Sequence, residues 1–421
     1  MNVEAQLQTR LEALQIVEHK LLLHTYERNP ILFTGGHGVY LTDENGHDYL
    51  DLLSGIGVSA LGYGHPAIEE AIIAQARQLL HTSNLFYHER TAELAMRLTE
   101  ISGMDRVFLC NSGTEAWEAA LKIARAYSEK VRREGGRMGT KFLCLEHSFH
   151  GRTMGSVATT HKERYRAPFA PVMPAVEFVP FNDTDALRAA FAAGDGYEVC
   201  GICIETVQGE GGIHPISREF FAAARALCDS TGALLIADEI QCGFGRTGKW
   251  FGYQHFGILP DVTTLAKPLA GGLPIGAMLS NERAAQAISP GMHGTTFGGG
   301  PLACAVAVAV IDEIKQKRLL THVTDVGTYF LDRLRSLQAS HPEVREVRGL
   351  GLMIGVELES DTLAKAVADA MLQQRIIVNR TSETVIRFLP PYILEREHVD
   401  HAVAAFDMIL TLHAAGEIAH E

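Results

Sequence analysis

Val107-Phe108-Leu109-Cys110-Asn111-Ser112-Gly113-Thr114-Glu115 passes from an apolar run of strand length into a polar turn, and then into a segment with helical spacing over residues 113 to 134. A strand that feeds directly into a helix start leaves bare amides and two hydroxyls, Ser112 and Thr114, at the strand's carboxyl end, a geometry that suits a phosphate. On its own the same motif also reads as a plain N-cap with Glu115 in the first turn. Similar apolar runs occur at residues 141 to 145, 176 to 179, 199 to 204, 233 to 237 and 262 to 265, alternating with helical segments, and residues 66 to 80 and 88 to 102 are helical in spacing too. Strands separated by helices predict parallel pairing through crossovers, hence an α/β fold with a mostly parallel sheet covered on both faces. Ligands of such sheets bind beyond the strand carboxyl ends.

Outward from this block, Leu7, Leu11, Leu14 and Leu21 predict a helix within residues 3 to 27, and Asn45-Gly46 predicts a hairpin turn in a small sheet over residues 40 to 53. After Pro301 one long helix is predicted to about Gln338, followed by strands within residues 344 to 358, 376 to 378 and 384 to 389 alternating with helices. The expected organisation is an N-terminal segment, 1–60, packed with a smaller C-terminal α+β domain, 316–421, and a large domain, 61–315. No flexible linker separates the two domains, so a cleft between closely packed units is expected.

Of the 421 residues, 47% are hydrophobic and 21% charged, a globular composition with room for a large core. Lys and Arg number 37 against 50 Asp and Glu, a net charge of −13, and an acidic surface repels nucleic-acid backbones and anionic lipid. The most apolar run, residues 302 to 311, is too short to span a bilayer and meets Asp312 and Glu313 at once. The start, Met1-Asn2-Val3-Glu4, carries no signal-peptide pattern, and seven cysteines in a long chain suit a reducing compartment, so a cytoplasmic protein without nucleic-acid or membrane partners is expected.

Three candidate motifs fail on context. Gly243-Phe-Gly245-Arg-Thr-Gly248-Lys249 has the glycines of a nucleotide-binding loop, but Trp250 replaces the required hydroxyl and Phe251-Gly252-Tyr253 is a poor helix start. Cys200 and Cys203 lie within an apolar strand that turns them to opposite faces, and Cys144, His147 and His150 lack a helix to converge them, so no metal is expected.

Two further strands end in charge. The run at 233 to 237 delivers Asp238, and the run at 262 to 265 delivers Lys267 after Ala266. Each alone fits a structural salt bridge or a snorkelling lysine. An amine among apolar strand ends has its pKa lowered, as a Schiff-base lysine requires. A phosphate-binding helix start, a carboxylate for a ring nitrogen and a lysine for an aldehyde, all on one sheet edge, together specify pyridoxal 5'-phosphate. Asn111-Ser-Gly-Thr-Glu-Ala116, Phe149-His-Gly-Arg-Thr153, Glu205-x-x-Gln208-Gly-Glu210-Gly-Gly212, Asp238-Glu-Ile-Gln241, Lys267 and His293-Gly-Thr-Thr-Phe-Gly-Gly299 follow one another in order. With these motifs the chain resembles a class III aminotransferase of the pyridoxal-phosphate fold type I family over nearly its whole length.

The resemblance implies a seven-stranded large domain and assigns roles. Lys267 is implied to bond the cofactor aldehyde and to shuttle the proton of the 1,3-shift. Asp238 pairs with the ring nitrogen, Gln241 with the ring hydroxyl, Phe149 stacks on the ring and Glu205 supports the Gln241 side. Gly113 and Thr114 hold the phosphate, joined by Thr296 from the other subunit of a homodimer, with Thr295 beside it at the substrate. Arg152 and Arg387 are implied carboxylate binders, and Glu210 neutralises Arg387 while an amine-ended donor is bound, then frees it for 2-oxoglutarate, which becomes glutamate by ping-pong transfer. Ile56 stands where ornithine-specific relatives carry a tyrosine for the free α-amine. An acylated amine needs no such partner, which favours N2-acetyl-L-ornithine and a place in arginine biosynthesis. A plain core role for Ile56, with ornithine, succinylornithine or 4-aminobutyrate as donor, is the alternative, and a pyridoxal-dependent aminomutase or a non-catalytic scaffold stand further off. The chain departs from the family pattern with Ser59, Arg90, Thr206 and Gly300, where asparagine, proline, proline and asparagine are usual.

Overall fold

The computed structural model describes residues 10–193 and 198–416. Its central sheet has seven strands in the spatial order Arg106–Cys110, Gly276–Ser280, Val262–Leu265, Leu234–Asp238, Val199–Glu205, Lys141–Leu145 and Val176–Val179. The last five pair in parallel, whereas Gly276–Ser280 is antiparallel to both of its neighbours. Six strands therefore bring their carboxyl ends to one edge. Val199–Glu205 and Leu234–Asp238 are buried at every position, as strands covered on both faces must be, which is why they read as continuous apolar runs.

Gly276–Ser280 is absent from the expectation. It is five residues without alternation, and it follows the turn Lys267–Ala270 too closely for a crossover helix, so it reverses direction. Gly276 pairs with Cys110, and a Cβ there would lie 2.3 Å from the Ser112 carbonyl oxygen, so the close approach requires glycine. The helix Gly113–Arg133 starts at Ser112, whose hydroxyl accepts from the Glu115 amide, and it carries Lys130, Arg132 and Arg133 in its last turn. Both ends thus oppose the helix dipole. Its buried face includes Ala116, Trp117, Ala120, Ala124 and Tyr127.

The single helix expected from Pro301 to Gln338 is two, Pro301–Gln316 and Leu319–Gln338, broken where Arg318 takes φ +53°. Apolar spacing is helical on both sides and hides the break. The first helix packs on Pro66–Ala76 and Glu89–Ser102, the second on Val344–Leu350 and Arg396–Ala414, so the bend redirects the chain from the helices of the large domain to the C-terminal sheet within one continuous core. The expected helix over residues 66 to 80 stops at Ala76. The stretch from 344 to 358 is a hairpin, Val344–Leu350 with Met353–Leu358, in an antiparallel sheet completed by Val385–Phe388 and Asn379–Thr381. Arg387 lies in that sheet between Gly355 and Asn379.

At the N-terminus the helix spans Arg10–Leu21, and residues 3 to 9 of its expected extent lie outside the described residues. Strands Phe33–His37, Tyr40–Asp43 and Asp48–Asp51 form a meander with Gly46 at φ +81° in the turn, and Ile376–Ile377 joins it in parallel. Among the described residues no helix is long and apolar enough to cross a membrane.

Candidate active site

A cavity of about 200 Å³ opens at the carboxyl edge of the large sheet, lined from five strand ends by Gly113 and Thr114, Phe149 and His150, Glu205, Asp238 and Gln241, and Lys267, with Glu210 at its side. Lys267 opens a tight turn directly behind Val262–Leu265. Burial brings its amine down to a pKa of about 8, with Glu210 opposing and Arg387 assisting the shift. Such an amine is available as a neutral nucleophile near physiological pH.

Asp238 ends its strand in a buried position. Its Oδ1 accepts from the Thr264 hydroxyl at 3.1 Å and the Ile240 amide at 3.1 Å, and its Oδ2 contacts His150 Nδ1 at 2.7 Å. Three of about four lone-pair positions are thereby used, leaving one for a further donor. Glu205 accepts from the amides of Phe149, 3.0 Å, and Gly209, 3.2 Å, and burial raises its pKa to about 7.

At the helix start, the first amides after Ser112 have no intrahelical acceptor, and the Thr114 hydroxyl lies 2.8 Å from that of Thr153 and 2.7 Å from that of Ser156. Amide donors with clustered hydroxyls, a carboxylate with a spare lone pair and a lysine of lowered pKa suit the phosphate, ring nitrogen and aldehyde of pyridoxal phosphate. The residues present fit that group.

Arg387 is 1% exposed. Its Nη1 meets Glu210 Oε1 at 2.5 Å and Gln241 Oε1 at 3.2 Å, and its Nε donates to Asn379 Oδ1 at 3.0 Å. Burial pushes the Glu210 pKa up, but the Arg387 charge, with Lys267, outweighs it and holds the carboxyl below its ordinary value. The Arg152 guanidinium lies 3.7 Å from the centre of the Tyr165 ring and 5.7 Å from that of Phe149. Thr295 and Thr296 do not line this cavity. The Thr295 hydroxyl accepts from Asn111 Nδ2 at 3.2 Å, and Thr296 borders a separate hollow of about 300 Å³ walled by residues 81 to 84 and 86 to 88.

Ile56 is no core residue: it is 40% exposed, within Ser54–Gly57, where all four residues have positive φ, +65° at Ile56 itself. A left-handed turn is costly for a β-branched side chain. Thr206 has a local purpose that proline could not serve, since its hydroxyl donates to the fully buried Glu239 at 3.0 Å. Glu239 also accepts from the amides of Gly252 and Tyr253, and burial lifts its pKa to about 7. Sequence reasoning missed Glu239 and the contact between His150 and Asp238. His150 adjoins Phe149 within a quoted motif, but only the tertiary fold brings it to a residue 88 positions away.

Residues 23–410 match the Aminotransferase class-III family. The chain is 45% identical over 395 residues to the acetylornithine aminotransferase of Methanocaldococcus jannaschii, covering 94% of this chain and 97% of that one. Among solved structures, the ornithine aminotransferase of Toxoplasma gondii, with pyridoxal phosphate at partial occupancy in its active site, superposes with a TM-score of 0.91 at 31% identity over 98% of this chain and 97% of that chain. The acetylornithine aminotransferase of Elizabethkingia anophelis gives 0.84 at 30% identity over 96% and 99%.

Proposed function

The chain belongs to the class III aminotransferases, with the type I fold and pyridoxal 5'-phosphate as cofactor, and we propose that it moves the terminal amine of N2-acetyl-L-ornithine to 2-oxoglutarate. The products are N-acetylglutamate 5-semialdehyde and L-glutamate, a step of arginine biosynthesis. The observation that carries this reading is the buried Arg387 masked by Glu210 at 2.5 Å beside the lysine cavity. A carboxylate-binding arginine with a built-in, removable counter-ion suits a site that takes an amine-ended donor and a dicarboxylate in turn.

Bound pyridoxal phosphate supplies the aldehyde that receives the amine and a ring that draws electrons from the neighbouring carbon. Gly113 and Thr114 would hold its phosphate, Phe149 would cover a ring face, Asp238 would hold the proton of the ring nitrogen, and Gln241 would meet the ring hydroxyl, with Glu205 supporting that side of the ring. Lys267 Nζ would be the group that meets the aldehyde and the one that moves the proton of the transfer. Arg152 holds the donor's carboxylate while Glu210 neutralises Arg387. When the keto acid enters, Glu210 swings away and Arg387 grips its α-carboxylate. Ile56 offers no acceptor for a charged α-amine, which suits an acetylated donor.

The site is completed in a homodimer, where the partner contributes Thr296 to the phosphate and brings Thr295 near the substrate. The exposed Leu85, Phe86, Tyr87 and Phe297 around Thr296 support that assembly. Seven free, buried cysteines support a cytoplasmic setting. We divide the chain into 1–60, 61–315 and 316–421, the first segment working with the last through the pairing of Asp48–Asp51 with Ile376–Ile377.

The test is to supply N-acetylornithine with 2-oxoglutarate and follow both. Glutamate should appear mole for mole with keto acid consumed. An aminomutase would leave 2-oxoglutarate untouched, and that result would overturn the transfer reading.

A further inference from the structure

Asn379-Arg380-Thr381 is a three-residue strand antiparallel to Val385–Phe388, with Asn379 opposite Arg387 and Thr381 opposite Val385. Alternate residues of a strand share a face. Arg380 turns away from the cavity, its Nη1 donating to the Glu383 carbonyl at 3.2 Å and meeting Asp361 Oδ2 at 3.2 Å. Asn379 and Thr381 turn toward it. Asn379 Oδ1 accepts from Arg387 Nε at 3.0 Å, and the Thr381 hydroxyl donates to the Glu210 backbone carbonyl at 3.0 Å. One short strand thus reaches both members of the pair Arg387 and Glu210.

A guanidinium only donates, so the buried Nε needs an acceptor, and the Asn379 amide oxygen supplies one that carries no charge. When Glu210 leaves Arg387, the full positive charge therefore remains, whereas a carboxylate at position 379 would cancel it at all times. The backbone around Glu210 is held from both sides. The Gly209 amide donates to Glu205 at 3.2 Å, and Arg348 Nε donates to the Gly212 carbonyl at 2.9 Å. A Cβ on Gly209 would lie 2.0 Å from Gln241 Oε1, and one on Gly211 2.8 Å from the His147 carbonyl oxygen, so the chain has no slack there. The Glu210 side chain does have room. Besides the lysine cavity it borders a hollow of about 520 Å³ whose wall carries His161, Lys162 and Ser382.

We propose that Asn379 and Thr381 are positioning residues for the exchange of substrates at Arg387: Asn379 orients the guanidinium without cancelling its charge, and Thr381 fixes the backbone that carries Glu210, so that uncovering Arg387 is a rotation of the Glu210 side chain alone. The inference rests on the masking of Arg387 by Glu210 given above. Each residue serves a different half of the reaction. Asn379 prepares Arg387 for the keto acid's carboxylate, and Thr381 keeps Glu210 over Arg387 while the amine donor is bound.

The experiment reads the two halves separately on the holoenzyme, as bleaching of the visible band by N-acetylornithine and as its return with 2-oxoglutarate once excess donor is removed. Asn379–Thr381 is the edge strand of its sheet, and valine keeps the shape of threonine, so both variants below are expected to fold. Asn379→Asp should raise the half-saturating 2-oxoglutarate concentration about tenfold or more, the scale of losing a charged contact, and change bleaching by less than about threefold. Glutarate, an unreactive dicarboxylate of the same length, should lose affinity by the same factor in calorimetry. Thr381→Val should do the reverse, slowing bleaching about threefold or more and leaving half-saturation by 2-oxoglutarate within about twofold. Equal losses in both halves, glutarate affinity unchanged in Asn379→Asp, or bleaching unchanged in Thr381→Val would overturn the proposal. Glu210→Ala tests the reading beneath it. If that variant still prefers terminal-amine donors as the native enzyme does, the masking of Arg387 itself fails, whatever the other two variants show.

Discussion

The cavity at the carboxyl edge of the large sheet and the hollow beside Thr296 differ in how far one chain completes them. In the first, Asp238, Glu205 and Arg387 are buried and their polar atoms find partners within the chain. In the second, Phe86, Tyr87 and Phe297 stand exposed on the wall of a mostly apolar hollow. An internally satisfied site tolerates burial of charge, whereas an uncovered apolar rim marks a surface that another molecule covers. On the assembly proposed above, each chain would supply the buried groups and the rim would be where a second copy completes the site.

Breaking the first region should have the largest effect. Lys267→Ala is expected to abolish turnover while leaving a folded protein that binds cofactor without a covalent link, and near-normal rates would remove Lys267 from its role. Asp238→Asn should lower turnover by about a thousandfold, the scale of losing one preorganised electrostatic partner, measured as single-turnover rate with donor alone. A change in the second region should separate assembly from folding. Tyr87→Asp touches a fully exposed side chain, so thermal stability of the chain should move by no more than about 0.5 kcal/mol. Light scattering should nevertheless show monomer, with activity down about tenfold. An active dimer would break the comparison.

The smallest effect is a pH dependence confined to the first region. Burial lowers the Lys267 pKa to about 8 in the folded, cofactor-free chain, against about 10.5 for a lysine in water. Below about 8 both states carry the proton, and the buried charge destabilises the fold in full. Between there and the unfolded value only the unfolded state holds it, so this group's contribution to stability rises with pH across that window. Covalent loading of cofactor should likewise speed up through about pH 8 as the neutral amine appears, and a rate independent of pH there would contradict the shift.

Much of the first region was legible in the sequence because each of its parallel strands is a continuous apolar run that ends in the residue it delivers, as Ala233 to Asp238 illustrates. The motifs at 111 to 116, 149 to 153 and 205 to 212 then place the remaining groups. What was not legible depends on tertiary contact. Gly276–Ser280 carries no periodic signature, the break at Arg318 sits inside an unbroken apolar spacing, and the partnership of His150 with Asp238 spans 88 positions. Ile56 shows the same limit, since nothing in Ser54-Gly-Ile56-Gly announces four consecutive left-handed residues.

The most direct test mixes the holoenzyme with one donor at a time, without keto acid, and follows loss of the cofactor's visible band by stopped flow. Bleaching should be fast with N-acetylornithine and slow with ornithine and 4-aminobutyrate. Equal or faster bleaching by either of those two would contradict the donor assignment and the part given to Ile56.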